Sequence, residues 1–178
     1  MPYNCNKFAI SMVNQTTFRS ILILSSISLF LIVIQTTVVP LFSIANIIPD
    51  LLLIWVVYIA LTKGQLTATV FGFFVGLVDD MLNSGVIGLN AFIKTLIAFL
   101  AGYFYNENKK NYPVGEIQFL VLLFFASLLH NSMYLFFIVQ GTEMSFFNAM
   151  FRSGIFATVY TEMFSLLPFF YNKRKLEL

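Results

Sequence analysis

The chain has 178 residues, of which 59% are hydrophobic and only 10% charged, and its formal net charge at pH 7 is +2. Soluble domains carry about 25% charged residues, so this composition excludes a soluble globular domain, a disordered chain and a coiled coil. The small net charge excludes a nucleic-acid binder, and the single cysteine, Cys5, cannot form an internal disulfide. The chain is therefore expected to lie in a lipid bilayer.

Six apolar segments are long enough to be considered as membrane spans, since a hydrocarbon core of about 30 Å takes roughly 17–25 helical residues. They predict an all-α integral membrane protein with a single six-helix membrane domain over residues 1–178. The approximate predicted helices are 20–39, 44–61, 66–82, 89–105, 117–139 and 147–171.

Helix breakers set the ends of the first two predicted helices. Pro40 stops the first, because proline cannot continue the helical hydrogen-bond ladder. The second is extended back to about Ile44, with Asn46 as a candidate cap and Asp50 in the positive first turn. A turn at Lys63-Gly64-Gln65 leads to the third helix.

The later connections are polar and short. The third helix ends in a polar group that contains Asp79 and Asp80, and a loop from Gly85 to Gly88 leads onward. Residues 106–113 form the most polar stretch of the chain and are expected outside the bilayer, whereas residues 140–143 join the last two helices. No loop is long enough to form a folded domain of its own.

The basic residues predict the orientation of the bundle, because positive residues in short loops stay on the cytoplasmic side. With both termini inside, eight of the ten basic residues are cytoplasmic, and Asp50, Asp79, Asp80 and Glu143 lie in external turns. The cytoplasmic basic residues are then Lys7, Arg19, Lys63, Lys109, Lys110, Lys173, Arg174 and Lys175. The sequence therefore predicts an N-in/C-in topology.

Four charged residues are predicted near the outer ends of the helices. Asp79 and Asp80 end the third helix, while Lys94 and Arg152 lie about one turn into the fourth and sixth. Charges inside a span are costly unless paired, so we expect the two acids to neutralise the two bases. The alternative is that Lys94 and Arg152 merely extend to the outer lipid headgroups.

A second polar set is predicted deeper in the membrane. His130 and Glu162 are expected at similar depths, and with Asn131 they predict a buried polar contact between the last two helices. The same residues would suit a proton relay, since histidine titrates near neutrality. We favour the structural contact, because one isolated pair is not a path across the membrane.

The sequence carries no convincing enzyme motif. Zinc-helix, nucleophile-elbow and phosphate-loop patterns are absent, and the neighbours Asp79 and Asp80 would point about 100° apart on a helix, unlike an aspartyl dyad. We expect no catalytic, cofactor-binding or metal-binding residue. Gly72 and Gly76 have the spacing that lets a second helix approach closely, whereas Gly85 and Gly88 would serve the loop into the fourth helix.

Read in order, these residues resemble the family of the rod shape-determining protein MreD. The similar segments are Pro49-Asp50-Leu51-Leu52-Leu53, Gly64, residues 72–80 from Gly72 to Asp80, and residues 84–91 from Ser84 through Asn90 to Ala91. In the family pattern the acid stands four residues after the second glycine, which is Asp80, so Asp79 is an additional acid here. We expect Asp80 to have the family's role.

The resemblance implies a non-enzymatic scaffold subunit of the complex that builds lateral peptidoglycan in the cytoplasmic membrane of bacteria. Its implied direct partner is MreC. Through MreC it would join the MreB filaments, the glycosyltransferase RodA and a class B penicillin-binding protein, and the resemblance implies no cofactor. The implied fold resembles the substrate-binding component of energy-coupling-factor transporters. The alternative function is therefore the membrane component of a small-molecule, vitamin-type transporter.

Overall fold

The computed structural model describes the backbone of residues 3–44, 47–83, 86–106, 117–140 and 145–176, and within these the side chains between residues 18 and 170. The described residues are almost entirely helical. In chain order the helices are α1 (Tyr3–Thr37), α2 (Leu51–Lys63), α3 (Gln65–Leu82), α4 (Leu89–Gly102), α5 (Ile117–Val139), α6 (Phe146–Ala149) and α7 (Ile155–Leu176). A 3₁₀ turn (Val39–Phe42) follows α1, and a π-helical turn (Met150–Gly154) joins α6 to α7.

Local sequence explains where the first helices end. Pro40 lies near the start of the 3₁₀ turn that follows α1, where its missing N–H is tolerated. Asp50 caps α2, since its carboxylate accepts a hydrogen bond from the Leu53 N–H at 2.9 Å. Gly64 separates α2 from α3 with φ +88°, a backbone conformation that glycine adopts without the steric cost that other residues incur.

The helices α3 and α5 begin and end within one residue of the predicted 66–82 and 117–139. The predicted start of the second helix, at residue 44, is wrong. The described residues between Ile44 and Asp50 are not helical, and α2 begins only after the Asp50 cap. The fourth helix ends at Gly102 rather than at residue 105. The predicted sixth helix is interrupted by the π-helical turn, and the first begins at Tyr3, well before residue 20.

Within the described part of the chain, three helices are long and apolar enough to cross a membrane: Phe18–Thr37 within α1, Gln65–Leu82 and Ile117–Val139. At about 1.5 Å per residue, α2 and α4 are only about 20 Å long and fall short of the hydrocarbon thickness. The chain is therefore a helical protein with three candidate spans in the described residues. Among the described residues the six complete spans expected from the sequence are not all present as long helices, because α2 begins only after the Asp50 cap and α4 already ends at Gly102.

Helix α2 forms the centre of the bundle. It belongs to two apolar clusters, one shared with α4 and α5 and the other with α1, α3 and α4. The outward faces carry many exposed large apolar side chains, among them Phe30, Phe125 and Leu167, as expected of a surface that meets lipid. Six side chains of α2 are completely buried: Leu52, Leu53, Val56, Val57, Ile59 and Ala60.

Helices α3 and α4 pack closely through the predicted glycines. A Cβ added at Gly76 would lie 2.5 Å from Ala91 Cα, and one at Gly72 would lie 3.0 Å from the Lys94 carbonyl oxygen. A third close approach, which the sequence analysis missed, brings Gly102 against Gln65. Small residues thus hold α4 at backbone contact distance along α3.

We expect Gly76→Ala to destabilise the bundle, because the added methyl group collides with the backbone of Ala91 rather than with a flexible side chain. Overpacking of this kind costs about 1–3 kcal/mol. Gly72→Ala is the matched control, since its nearest neighbours are at 3.0–3.3 Å and need to move less. Thermal unfolding in detergent should show the larger loss for Gly76→Ala, and equal losses would contradict this account.

Candidate functional site

A buried ion-paired cluster joins α2, α3 and α4. The Lys94 ammonium group lies 2.8 Å from an Asp79 carboxylate oxygen and 3.0 Å from an Asp50 carboxylate oxygen. Lys94 is 1% exposed and Asp79 5% exposed, so water cannot replace these contacts. Asn83 also donates a hydrogen bond to Asp79 at 2.6 Å. One cation thus holds two carboxylates from two different helices inside the bundle.

Asp80 has a different role from its neighbour. It is 1% exposed and accepts hydrogen bonds from three backbone N–H groups, those of Gly88 at 3.0 Å, Asn90 at 3.2 Å and Ala91 at 3.1 Å. These groups lie at the start of α4, where N–H groups have no partner within the helix and a negative charge is favoured. Gly88 has φ +92°, which allows the chain to turn into α4 at this point. Asp80 therefore fixes the approach to α4.

Two further helices hold Asp50 in place. The Gln35 side chain in α1 donates to the Pro49 carbonyl oxygen at 2.9 Å and accepts from the Leu51 N–H at 3.0 Å. The Thr161 hydroxyl in α7 accepts from the Asp50 N–H at 3.1 Å. Backbone that is not helical needs such partners wherever lipid replaces water. The cluster consequently connects α1, α2, α3, α4 and α7.

His130 of α5 also reaches the cluster. Its Nε2 atom lies 3.6 Å from an Asp50 carboxylate oxygen, a distance too long for a good hydrogen bond. Helix α5 continues for about 14 Å beyond His130, as far as Val139. Asp50 therefore lies level with the interior of α5, and not at the outer end of the bundle where an external turn was expected.

The predicted polar contact between the last two helices is present through Asn131, but His130 and Glu162 do not take part in it. His130 Nε2 and Glu162 Oε2 are both buried, and neither has a hydrogen-bond partner among the described residues. Asn131 makes the expected polar contact between α5 and α7, since it donates to the Thr158 hydroxyl at 3.2 Å. Among the described residues, Glu162 has no contact with the charged cluster. Its neighbour Thr161 does contact the cluster, through the Asp50 N–H.

The predicted partnership of the acids with Arg152 is also wrong. Arg152 is exposed within the π-helical turn and makes no ion pair with the described residues, whereas Lys94 is neutralised by Asp79 and by Asp50. Lys94 does not extend to the headgroups either, because it is buried. Gly85 lies outside the described residues.

Three further residues belong to this site although the sequence did not predict them there: Gln35, Thr161 and Asn83. Gln35 is a polar residue inside a long apolar segment. Because such a side chain needs a hydrogen-bond partner within the membrane, its position could have indicated a polar site. Thr161 gave no comparable signal, since threonine can bond to the preceding turn of its own helix. Only the three-dimensional packing brings Thr161 to Asp50.

The arrangement suits structural support better than chemistry. Both carboxylates of the ion-paired cluster contact Lys94, and Asp80 is occupied by backbone N–H groups. Among the side chains that the structure describes, no three His, Cys, Asp or Glu residues are grouped to hold a metal ion. The cluster therefore fixes the relative positions of helices and of the loop into α4.

Comparison with known proteins points to one family. A family model described as rod shape-determining protein MreD matches residues 15–174. Neither a curated protein nor a solved structure matches the chain. The family match covers nearly the whole chain, including every residue of the charged cluster. The chain therefore belongs to the MreD family of rod shape-determining proteins, which are bacterial membrane proteins that act in cell shape.

Proposed function

We propose that this protein is a non-enzymatic scaffold in the cell-elongation complex of the bacterial cytoplasmic membrane, where it binds MreC. Through MreC it would join the MreB filaments, RodA and a class B penicillin-binding protein during lateral peptidoglycan synthesis. The observation that carries the proposal is the charged cluster, whose acidic groups are used to position helices and a loop. A rigid bundle of this kind presents fixed surfaces to partner proteins.

The loop before α4 is the surface that we propose for the partner. Val86 is 60% exposed and Ile87 is 74% exposed, although both are apolar. They precede Gly88, whose N–H is bound by Asp80, so the exposed pair is held in place from beneath. Val86 and Ile87 lie in a turn before α4 and not on one of the helix faces that meet lipid, and exposed apolar residues in such a position suit contact with a protein. We infer that a membrane-proximal segment of MreC packs against Val86 and Ile87.

The proposed orientation has both termini in the cytoplasm. The 3₁₀ turn after α1 and the loop before α4 then face outward, while Arg19 and Lys63 face the anionic inner leaflet, which attracts basic residues. We also propose that the bundle shares its architecture with the substrate-binding component of energy-coupling-factor transporters. This likeness leaves transport as the second candidate function.

Affinity purification of the tagged full-length chain from its own membranes in mild detergent tests the scaffold function. We expect mass spectrometry to identify a single-pass MreC-like protein together with wall-synthesis enzymes. Recovery of paired ATPases and a coupling membrane subunit would instead assign the chain to a transporter. An untagged strain processed in parallel identifies proteins that bind the resin without the bait.

The variant Ile87→Ser is expected to lower recovery of the MreC-like protein by about tenfold, which corresponds to about 1.4 kcal/mol of binding free energy. Ile87 is exposed, so the substitution should leave the thermal stability nearly unchanged. Phe104→Ser is the control, because Phe104 is similarly exposed at the opposite end of α4. Undiminished recovery with Ile87→Ser, or equal loss with both variants, would contradict the assigned surface.

A further inference from the structure

A half-open groove of about 620 Å³ lies between α1 and α3, away from the charged cluster. Its walls are mainly apolar and include Ile21 and Leu24 of α1 together with Val70 and Phe74 of α3. Lys63, in the last turn of α2, lines the groove at one end. The groove is thus apolar along its length and basic at its mouth.

The length of the groove matches one leaflet of a bilayer. On α3 the lining residues run from Leu66 to Phe74, which is about 12 Å of helix. Half of the hydrocarbon core is about 15 Å thick. A lipid acyl chain in one leaflet therefore fits the depth of this groove.

We propose that this groove binds an anionic diacyl phospholipid, with an acyl chain between α1 and α3 and the phosphate group beside Lys63. The apolar walls favour the acyl chain through the hydrophobic effect, and the Lys63 ammonium group favours a negatively charged headgroup over a zwitterionic one. The bound lipid would fill the space between α1 and α3 and so support the docking of α1. This site is independent of the partner surface at Val86 and Ile87.

Native mass spectrometry of the full chain in detergent, titrated with phosphatidylglycerol or with phosphatidylcholine, tests the proposal. We expect at least fivefold more of the first bound adduct with phosphatidylglycerol. Val70→Trp should remove most of this adduct by filling the groove, whereas the control Val121→Trp, which makes the same change at an exposed position of α5, should not. Equal binding to the parent and to Val70→Trp would overturn the proposal.

The positive charge at the end of the groove is tested separately with the variant Lys63→Ser. The Lys63 side chain is exposed, so this variant should fold as the parent does. We expect it to bind the two lipids equally, and a retained preference for phosphatidylglycerol would contradict the assigned headgroup contact. A photocrosslinking residue at position 70 in native membranes distinguishes the occupants, since a protein adduct in place of a lipid adduct would show that a partner helix fills the groove.

Discussion

Lys94→Met is expected to be among the most damaging single substitutions in this chain. Methionine preserves most of the side-chain volume but leaves the carboxylates of Asp50 and Asp79 close together without a cation. Breaking a buried ion pair by removing one partner costs about 3–5 kcal/mol. At about 2–4 °C per kcal/mol, the midpoint of thermal unfolding in detergent should fall by roughly 10 °C. Fluorescence-detected size-exclusion chromatography after heating measures this loss.

The double variant Lys94→Met/Asp79→Asn separates loss of charge from loss of packing. It removes one of the two carboxylates that the single variant leaves unpaired, so part of the lost stability should return. Lys63→Met provides the comparison at an exposed lysine, where the change should stay within about 0.5 kcal/mol. A double variant that is no more stable than Lys94→Met would refute the account of the cluster as an ion-paired support.

Asp80→Ala is expected to disorder the approach to α4 and to abolish partner binding with it. The substitution leaves three backbone N–H groups without an acceptor, and a buried donor without a partner costs about 1–3 kcal/mol. The total loss of stability should therefore reach roughly 3 kcal/mol or more. Detergent stability and recovery of the MreC-like protein are the two measurements.

Asp80→Asn gives a graded control for the same position. The amide retains one oxygen acceptor and loses the charge, so stability and partner recovery should lie between those of the parent and of Asp80→Ala. This order follows from the hydrogen bonds and requires no reaction at Asp80. A purified Asp80→Ala protein that folds and binds its partner as the parent does would disprove the assigned role.

Much of the helical architecture was predictable because apolar length and helix breakers are properties of the local sequence. The bounds of α3 and α5 follow from the polar ends of long apolar segments. The start of α2 was not predictable in the same way, because residues 44–48 are largely apolar and read as helix. Its true start depends on contacts from Gln35 and Thr161, which hold Pro49 to Leu51 out of a helix.

The composition of the charged site was predictable, but its pairing was not. Asp79, Asp80 and Lys94 stand out as ionisable residues in apolar helices, and all are buried. The sequence favoured Arg152 as a fourth member on grounds of depth alone, whereas the structure gives that position to Asp50. Depth along a helix does not specify which face a residue occupies, and faces decide which charges meet.

The contact between Asp50 and Thr161 also bears on the order in which the helices assemble during synthesis. Thr161 follows Asp50 by 111 residues, and the ribosome adds roughly 5–20 residues per second, so α2 waits on the order of 10 s for this partner. During that time Gln35 is already available to the peptide groups beside Asp50. Helix α1 can thus hold the start of α2 provisionally until α7 enters the membrane and completes its attachment.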